Sequence, residues 1–441
     1  MDRCFELWVE SLLCGEVCLF AGYHYPHLFV HYRLVISSYW CLYPYYQQEV
    51  YRVNCLVEKD EEIRERKVEV IYYLCFFLLW WSFAGYILFL YLLERNKRSY
   101  IEREELNSIP HFSIIVPIFN EKRLIEQKIK NLKDLSYKNY TVYFADASTD
   151  ETKQIISENI GDLSNFHLIS CAQKGRSFQL NEVLSLISPQ DLVLITDVDA
   201  LLEKDCLEKI ARVFLSNERI GLVGGWTEPV SRYRNEIVFW HIQNTLRALE
   251  SSVGHCSTVS GACYAFRREV VDRIPQSVWA EDIYLPFLIN TKGYQCIYHP
   301  QIYIKEVRGP SKFKNFIKLK IRKGQDNIKE LIRFFPHIHR MRFPWILIYL
   351  TRFLQIIIFP ILVLPFLLLL FFQDIHTLVL SFILFLAGFL LQSVIFSKMN
   401  SSRPKKGEKL RIFLLSSLIL FLSVWGYLFK RTKIGYCRIE E

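Results

Sequence analysis

DLVLITDVDA (Asp191–Ala200) runs from apolar and β-branched residues straight into two aspartates set one residue apart. The run Leu192–Thr196 has the length of a strand and no polar alternation, so both of its faces must be covered. Asp197 and Asp199 then stand at its carboxyl end, on a rigid mount. Two hard oxygen donors placed this way suit Mg²⁺ or Mn²⁺, which can take its remaining ligands from a substrate diphosphate. The competing reading is that either aspartate caps a following helix in LLEKDCLEKIARVF (Leu201–Phe214).

Working outward, the same strand and helix alternation repeats. FSIIVPIF (Phe112–Phe119) is a short apolar strand, followed by RLIEQKIKNLKDL with Leu124, Ile125, Ile129 and Leu132 at helical spacing. TVYFADAS reads as strand into turn, TDETKQIISEN as helix and FHLISC as strand. Apolar strands alternating with helices predict an α/β fold with a mostly parallel sheet and helices on both faces. Ligands bind beyond the carboxyl ends of such strands. Glu121, Asp146 and the pair Asp197 and Asp199 all fall there.

Composition places this domain beside a membrane. Of the 441 residues, 51% are hydrophobic and 15% aromatic, a balance that directs attention to membrane segments. Four apolar runs are long enough for the hydrocarbon core: residues 70–93, 353–372, 377–397 and 412–429. The run Val70–Leu93 lies too far from the start to be a signal peptide. Pro360 and Pro365 predict a kinked second helix whose freed carbonyls need partners. The formal charge of +9 sits mostly in basic residues flanking these runs, as juxtamembrane residues do, and does not point to nucleic acid. Lys and Arg in ERNKR and between the third and fourth runs predict a cytosolic central domain, so the protein reads as an integral, multi-pass membrane protein. The tail KRTKIGYCR disagrees, unless the last segment does not cross or Leu28–Tyr46 hides a further span. The twelve cysteines form no CxxC pair, which argues against zinc. Cys75, Cys263 and Cys296 read as buried thiols, while Cys4, Cys14 and Cys18 could pair in an oxidising compartment.

Six segments, in order, resemble the membrane-bound branch of the family 2 glycosyltransferases. VPIFNE (Val116–Glu121) is similar to the P-x-x-N-E opening, and ADASTDET (Ala145–Thr152) to D-D-x-S-x-D with Ala145 in place of the first aspartate. KGRSFQLN (Lys174–Asn181) is similar to K-G-x-x-x-A-L-N with Gln179 in place of alanine, and TDVDA supplies D-x-D. SGACYAFRR (Ser260–Arg268) resembles the acceptor-side segment, and AEDIYLPFLINTKGY (Ala280–Tyr294) the E-D element.

The resemblance implies a GT-A nucleotide-sugar domain over 110–309 and an inverting, metal-dependent transfer from a nucleotide-diphosphate sugar to a lipid, lipid-linked or glycan acceptor. It assigns Asp199 to the metal and Asp197 to metal or ribose. Pro117, Glu121, Asp146 and Lys174 go to the nucleotide sugar, and Ser260 and Gly261 to the acceptor side. Asp282 becomes the catalytic base, with Glu281 as second choice. Without the resemblance, the acid pair reads as a helix-start feature. Residues 310–343 read as an interfacial amphipathic helix with Phe316, Ile317, Ile321, Ile328, Leu331 and Ile332 on its apolar face, resting on membrane lipids. Related processive synthases carry Q-x-x-R-W here. This chain reads KLKIRKGQ (Lys318–Gln325), leaving Arg322 and Gln325 for the diphosphate and no tryptophan. Trp279 offers a substitute stacking surface. The missing tryptophan counts against a processive polysaccharide synthase that exports its product. A transporter would need ionisable groups along its path, and the apolar runs hold little beyond Arg352, Gln355 and Gln392. A catalytically inactive scaffold would have no use for both D-x-D aspartates and Asp282. Spans at 344–372, 377–397 and 412–429 complete the expected architecture, and residues 1–69 have no functional reading.

Overall fold

The computed structural model describes residues 26–94, 109–231, 234–309, 312–399 and 408–429. Cys4, Cys14, Cys18, most of the ERNKR segment and the KRTKIGYCR tail lie outside the described residues, so the cysteine pairing and part of the orientation reading have no structural counterpart here. The chain divides at Ile71/Tyr72 into two units. The helix α1 (Pro26–Trp80) starts in the first unit and carries there the mixed-charge segment expected as a helical linker, with Arg66 bonded to Glu62 one turn away at 2.6 Å.

The second unit holds an eight-stranded sheet in the order β3-β2-β1-β4-β7-β6-β8-β5. Its strands are β1 (Phe112–Ile118), β2 (Tyr140–Asp146), β3 (Phe166–Ser170), β4 (Leu192–Thr196), β5 (Ala200–Leu202), β6 (Ile220–Pro229), β7 (Cys263–Arg267) and β8 (Gln295–Glu306). Four neighbouring strands, β3-β2-β1-β4, are parallel as the apolar runs predict. The other half is mixed: β7 runs antiparallel to β4 and β6, and β5 antiparallel to β8. The chain leaves β1 towards β2 and β3, then returns to β4 on the opposite side of β1. That reversal opens a crevice beyond the ends of β1 and β4. The segments after them carry Glu121, Asp197 and Asp199.

Residues of β4 alternate between two cores, as a strand covered on both faces must. Leu192 and Leu194 join a core with α3 (Ile125–Lys133) and α6 (Cys206–Ser216). Val193 and Ile195 face the other core, with α5 (Arg176–Leu184), α7 (Arg234–Ser252) and α8 (Glu281–Thr291). α2 (Tyr86–Glu94) and α10 (Trp345–Phe353) bury Tyr86, Leu90, Trp345 and Tyr349 in that second core. One face of the sheet is therefore continuous with the apolar helices. Every residue of β4 is buried, at roughly 1.5–3 kcal/mol for each large apolar side chain. An exposed ion pair contributes about 1 kcal/mol or less. The mount keeps its place whatever its carboxylates bind.

Two sequence expectations change. The D-x-D is followed by β5, not by a helix beginning at Leu201, because Ala200–Leu202 pair with Ile304–Glu306 of β8. α6 starts only at Cys206 after Asp205, which removes the capping alternative for Asp197 and Asp199. The second apolar helix begins at Trp345, at the edge of the expected span 344–372, and Trp345 and Ile348 pack into the domain. It bends through a wide π turn, Leu354–Ile358, into α11 (Phe359–Leu369). Among the described residues three helices are long and apolar enough to cross a membrane: Asn54–Glu94, Trp345–Phe372 and Ile375–Ile395. The fourth run lies in α13 (Glu408–Leu428), whose described apolar part, Leu418–Leu428, is shorter. Between α10 and the last strand, α9 (Phe313–Phe334) does form over the predicted amphipathic stretch. Phe316, Ile328 and Leu331 are buried as expected, Ile317 and Ile321 only half-buried, and Ile332 exposed. The buried face instead includes Lys320, Gln325 and Glu330.

Candidate functional site

The D-x-D turn is fastened at both ends. Asp197 donates its N–H to Ala262 O at 3.0 Å, and Asp199 O accepts from Val307 N at 2.8 Å. Beneath it lies a cation that the sequence reading passed over. Lys128 of α3 is wholly buried, and its ammonium bonds Thr196 Oγ1 at 2.8 Å and Ala200 O at 2.5 Å. Those two residues bracket Asp197–Asp199. Burial pulls Lys128 down to about 8, against the charges of Asp197 and Asp199.

Two arginines gather the carboxylates. Arg308, just after β8, donates Nε to Asp199 at 2.9 Å and one terminal nitrogen to both oxygens of Glu121 at 3.0 and 2.9 Å. Arg176, opening α5, forms ion pairs with Asp197 and Glu281 and donates to Gly261 O at 3.0 Å. One side chain thus joins the D-x-D, the E-D element and the acceptor-side segment. Burial, then the neighbouring Asp197, raises the Asp199 carboxyl, and Arg308 opposes them. Burial and the Asp199 charge push Glu306, at the end of β8, up to about 7. Asp282 is also raised by burial, against the opposing fields of Lys323, Arg247 and Arg176. Among the described residues Asp282 makes no ion pair, whereas Glu281 is engaged by Arg176.

Around the residues expected to bind the nucleotide, the loops after β1 and β2 hold one another. Asn120 takes the left-handed conformation at φ 55°, and its Oδ1 accepts from Thr149 N at 2.8 Å. Ser148 Oγ accepts from Asn120 N at 2.7 Å, and Thr152 Oγ1 from Glu121 N at 2.9 Å. Asp146 is buried and accepts from Ser148 N at 3.2 Å, so it also shapes its own turn. Pro117 sits half-buried beside Ala145 in the β1–β2 register. Lys174 is exposed, with its ammonium 3.8 Å from the Phe119 ring centroid. Gln179, which replaces the family's alanine, is buried and donates Nε2 to Ile118 O and Ala145 O, each at 2.7 Å. It pins the ends of β1 and β2 together.

On the acceptor side, Ser260 is buried, and the Asp282 carboxylate lies 3.4 Å from where a Cβ on Gly261 would stand. Val259 N donates to Asp282 O at 3.0 Å, so this segment and the start of α8 run together. Trp279 is 58% exposed, with the Lys329 ammonium 5.8 Å above its ring. On α9, Gln325 is buried and Arg322 half-buried. Lys323 of α9, which the sequence reading did not single out, is a cation whose field reaches both Asp282 and Glu306.

A divalent ion fits this donor set in one way. Among the described residues no group of three or more His, Cys, Asp or Glu forms a metal cluster, so the protein alone does not complete a coordination shell. Two crowded carboxylates, one of them raised by the other's charge, suit an ion that draws its remaining ligands from a diphosphate and water.

Residues 113–274 match the model of glycosyl transferase family 2. The matched stretch runs from β1 to just past β7. Over 282 residues it is 24% identical to the probable glycosyltransferase YdaM of Bacillus subtilis, covering 60% of this chain and 65% of that protein. Over 223 residues it is 25% identical to the beta-monoglucosyldiacylglycerol synthase of a Nostoc species, covering 46% of each. The chain thus spans less than two thirds of the length of these relatives. In fold, the family 2 domain and much of what flanks it resemble the mannosyltransferase PcManGT of Pyrobaculum calidifontis, solved with GDP-Man and Mn²⁺. That match has a TM-score of 0.59 at 19% identity and covers 83% of this chain and 99% of the other.

Proposed function

We propose that the protein moves a sugar from a nucleoside-diphosphate sugar to a lipid or lipid-linked acceptor at the cytosolic face of a membrane, with inversion at the anomeric carbon. The observation that carries this reading is Arg176, which contacts Asp197, Glu281 and the Gly261 carbonyl from one guanidinium. The donor-side carboxylates and the acceptor-side pair therefore lie within the reach of one side chain, the scale of a single sugar.

In this reading Glu121 and Asp146 grip base and ribose, and Asp199, with Asp197, holds Mg²⁺ or Mn²⁺. The bound ion supplies Lewis-acid stabilisation of the departing diphosphate. Asp282 takes the proton of the acceptor hydroxyl as its oxygen bonds to the anomeric carbon. The bond from that carbon to the diphosphate breaks on the opposite face, and the nucleoside diphosphate leaves with the electron pair. Burial raises the Asp282 carboxyl and so strengthens it as a base. Arg308 and Lys323 would face the negative charge that develops on the leaving group. A lipid acceptor is supported by the sheet face continuous with the apolar helices, and by the name of the Nostoc relative, a glucosyldiacylglycerol synthase. A divalent ion and a nucleotide sugar are supported by the contents of the Pyrobaculum structure. The test is a screen of detergent-purified protein against nucleotide sugars, with Mn²⁺, with Mg²⁺ and with chelator. Turnover of at least one donor that chelator abolishes is expected; metal-independent transfer would refute the ion's role, and no turnover of any donor would refute the reading.

A further inference from the structure

Glu250, near the end of α7, has no exposed surface, and each of its two oxygens serves a different part of the molecule. Oε1 accepts from Tyr86 Oη of α2 at 2.7 Å and from Arg352 Nε of α10 at 2.9 Å. Both donors belong to helices long and apolar enough to cross a membrane. Oε2 accepts from Ser257 N at 2.8 Å and Ser257 Oγ at 2.6 Å. Arg352 Nε also reaches Ser257 Oγ at 3.0 Å. Ser257 opens the segment that ends at Ser260 and Gly261. Two residues on, Val259 N holds Asp282 O at 3.0 Å, and Arg247 Nε holds Thr258 Oγ1 at 3.1 Å.

The helices on the other side of this carboxylate are shaped around it. Both switch to wide π turns here, Trp81–Gly85 and Leu354–Ile358. The two turns are cross-linked by Gln355 Nε2 donating to Ser82 O at 2.9 Å, and Gln355 Oε1 accepts from Arg352 at 3.3 Å. Trp81 Nε1 reaches Thr351 Oγ1 at 3.1 Å. Such turns cluster at functional sites. Stability alone gives little reason for the arrangement, because a buried ion pair is often no better than apolar residues of the same volume, and one Arg352 nitrogen stays buried without a partner.

We propose that Glu250 and Arg352 are positioning residues that fix the acceptor segment Ser257–Gly261, and through it Asp282, to the apolar helices, so that acceptor capture depends on how those helices sit. This rests on the glycosyltransferase reading of the site. The test compares the full-length wild type with Glu250→Gln, Arg352→Met, Arg352→Lys and the double variant E250Q/R352M, all in phospholipid nanodiscs containing diacylglycerol. UDP-glucose and GDP-mannose with Mn²⁺ are the donors. Single removal of either charge is expected to lower the melting temperature, and the double variant to recover it. The double variant should still show an acceptor KM raised at least tenfold, a binding constant for the donor's nucleoside diphosphate with Mn²⁺ within twofold of wild type, and at least tenfold faster amide exchange over 257–261. Arg352→Lys should return the acceptor KM towards wild type. A thermally recovered double variant with wild-type acceptor KM and wild-type exchange would overturn the proposal. If the wild type transfers neither sugar, that bears on the function reading, and the exchange rates of 257–261 decide the clamp by themselves.

Discussion

Two arginine–carboxylate clusters share the same chemistry and differ in their surroundings. At the sheet edge, Arg308 and Arg176 hold Asp199, Glu121 and Asp197 in a crevice that solvent partly reaches, with Arg308 34% and Asp197 30% exposed in their side chains but Glu121 12% and Asp199 10%. At the junction with the apolar helices, Arg352 holds Glu250 with 8% and 0% exposed. The first cluster can exchange its partners for an incoming diphosphate and ion at modest cost, because water compensates what is broken. The second cannot, because either group left behind would be a bare charge in a dry interior. On the function proposed above, exposure separates the cluster that would handle substrate from the one that would hold position.

The comparison breaks most sharply at the chemistry itself. Asp282→Asn should lower turnover by about 10²–10⁴-fold while calorimetry still finds nucleoside diphosphate and Mn²⁺ bound; normal transfer would move the base elsewhere. Asp199→Ala should cost on the order of 10²-fold or more and lose the dependence on added Mn²⁺ in the same assay. A smaller pair of effects separates the two clusters directly. Arg352→Met should destabilise by about 3–5 kcal/mol, and Arg308→Met by less, because its side chain keeps contact with water, measured by denaturation in matched detergent. Equal losses would erase the distinction drawn here. The Arg308 variant should instead lose turnover, roughly tenfold, as one charge-assisted contact of the diphosphate site goes.

The smallest effect is one of pH. Glu330, buried on α9, is pushed up to about 7 by burial, against the pull of Arg333. A carboxyl raised on folding contributes stability that is complete below its unfolded pKa, about 4.3, and is lost as pH rises through about 7. Wild type should therefore lose melting temperature over that interval more steeply than Glu330→Gln. Parallel curves would show that Glu330 titrates normally.

The parallel half of the sheet was legible because its signals are local: a fully apolar run ending in hard oxygen donors needs no partner to be read. The positions of Glu121, Asp146, Asp197 and Asp199 at the crevice follow from strand polarity alone. The arginines were not legible. Arg176 lay inside a recognised segment but outside its fixed positions. Arg308 reaches Asp199 across 109 residues of chain, through the pairing of Ala200 with Glu306, and a lone arginine has no periodicity to announce it. Gln179 looked like a departure from a pattern, yet it supplies two hydrogen bonds that alanine could not. The buried face of α9 was misjudged for a related reason. Apolar spacing identifies a greasy stripe, but the ammonium of Lys320 is covered by the Phe239 ring, 4.4 Å away, on an element remote in sequence. Lys128 belongs with these: a lysine between apolar helix positions reads as solvated until the turn above it is known.

Gly324 draws one more consequence. A Cβ there would collide with Ser423 Oγ of α13, a hydroxyl that donates to Ile419 O of its own helix at 2.7 Å and lies 3.2 Å from Ile321 O of α9. The notch and the hydroxyl together set the height at which α9 rides against α13. A single methyl at position 324 would act as a wedge, sliding or tilting α9 and carrying Lys320 and Lys323 with it. The spacing between those two ammonium groups and the crevice is thereby gauged by a residue with no side chain at all.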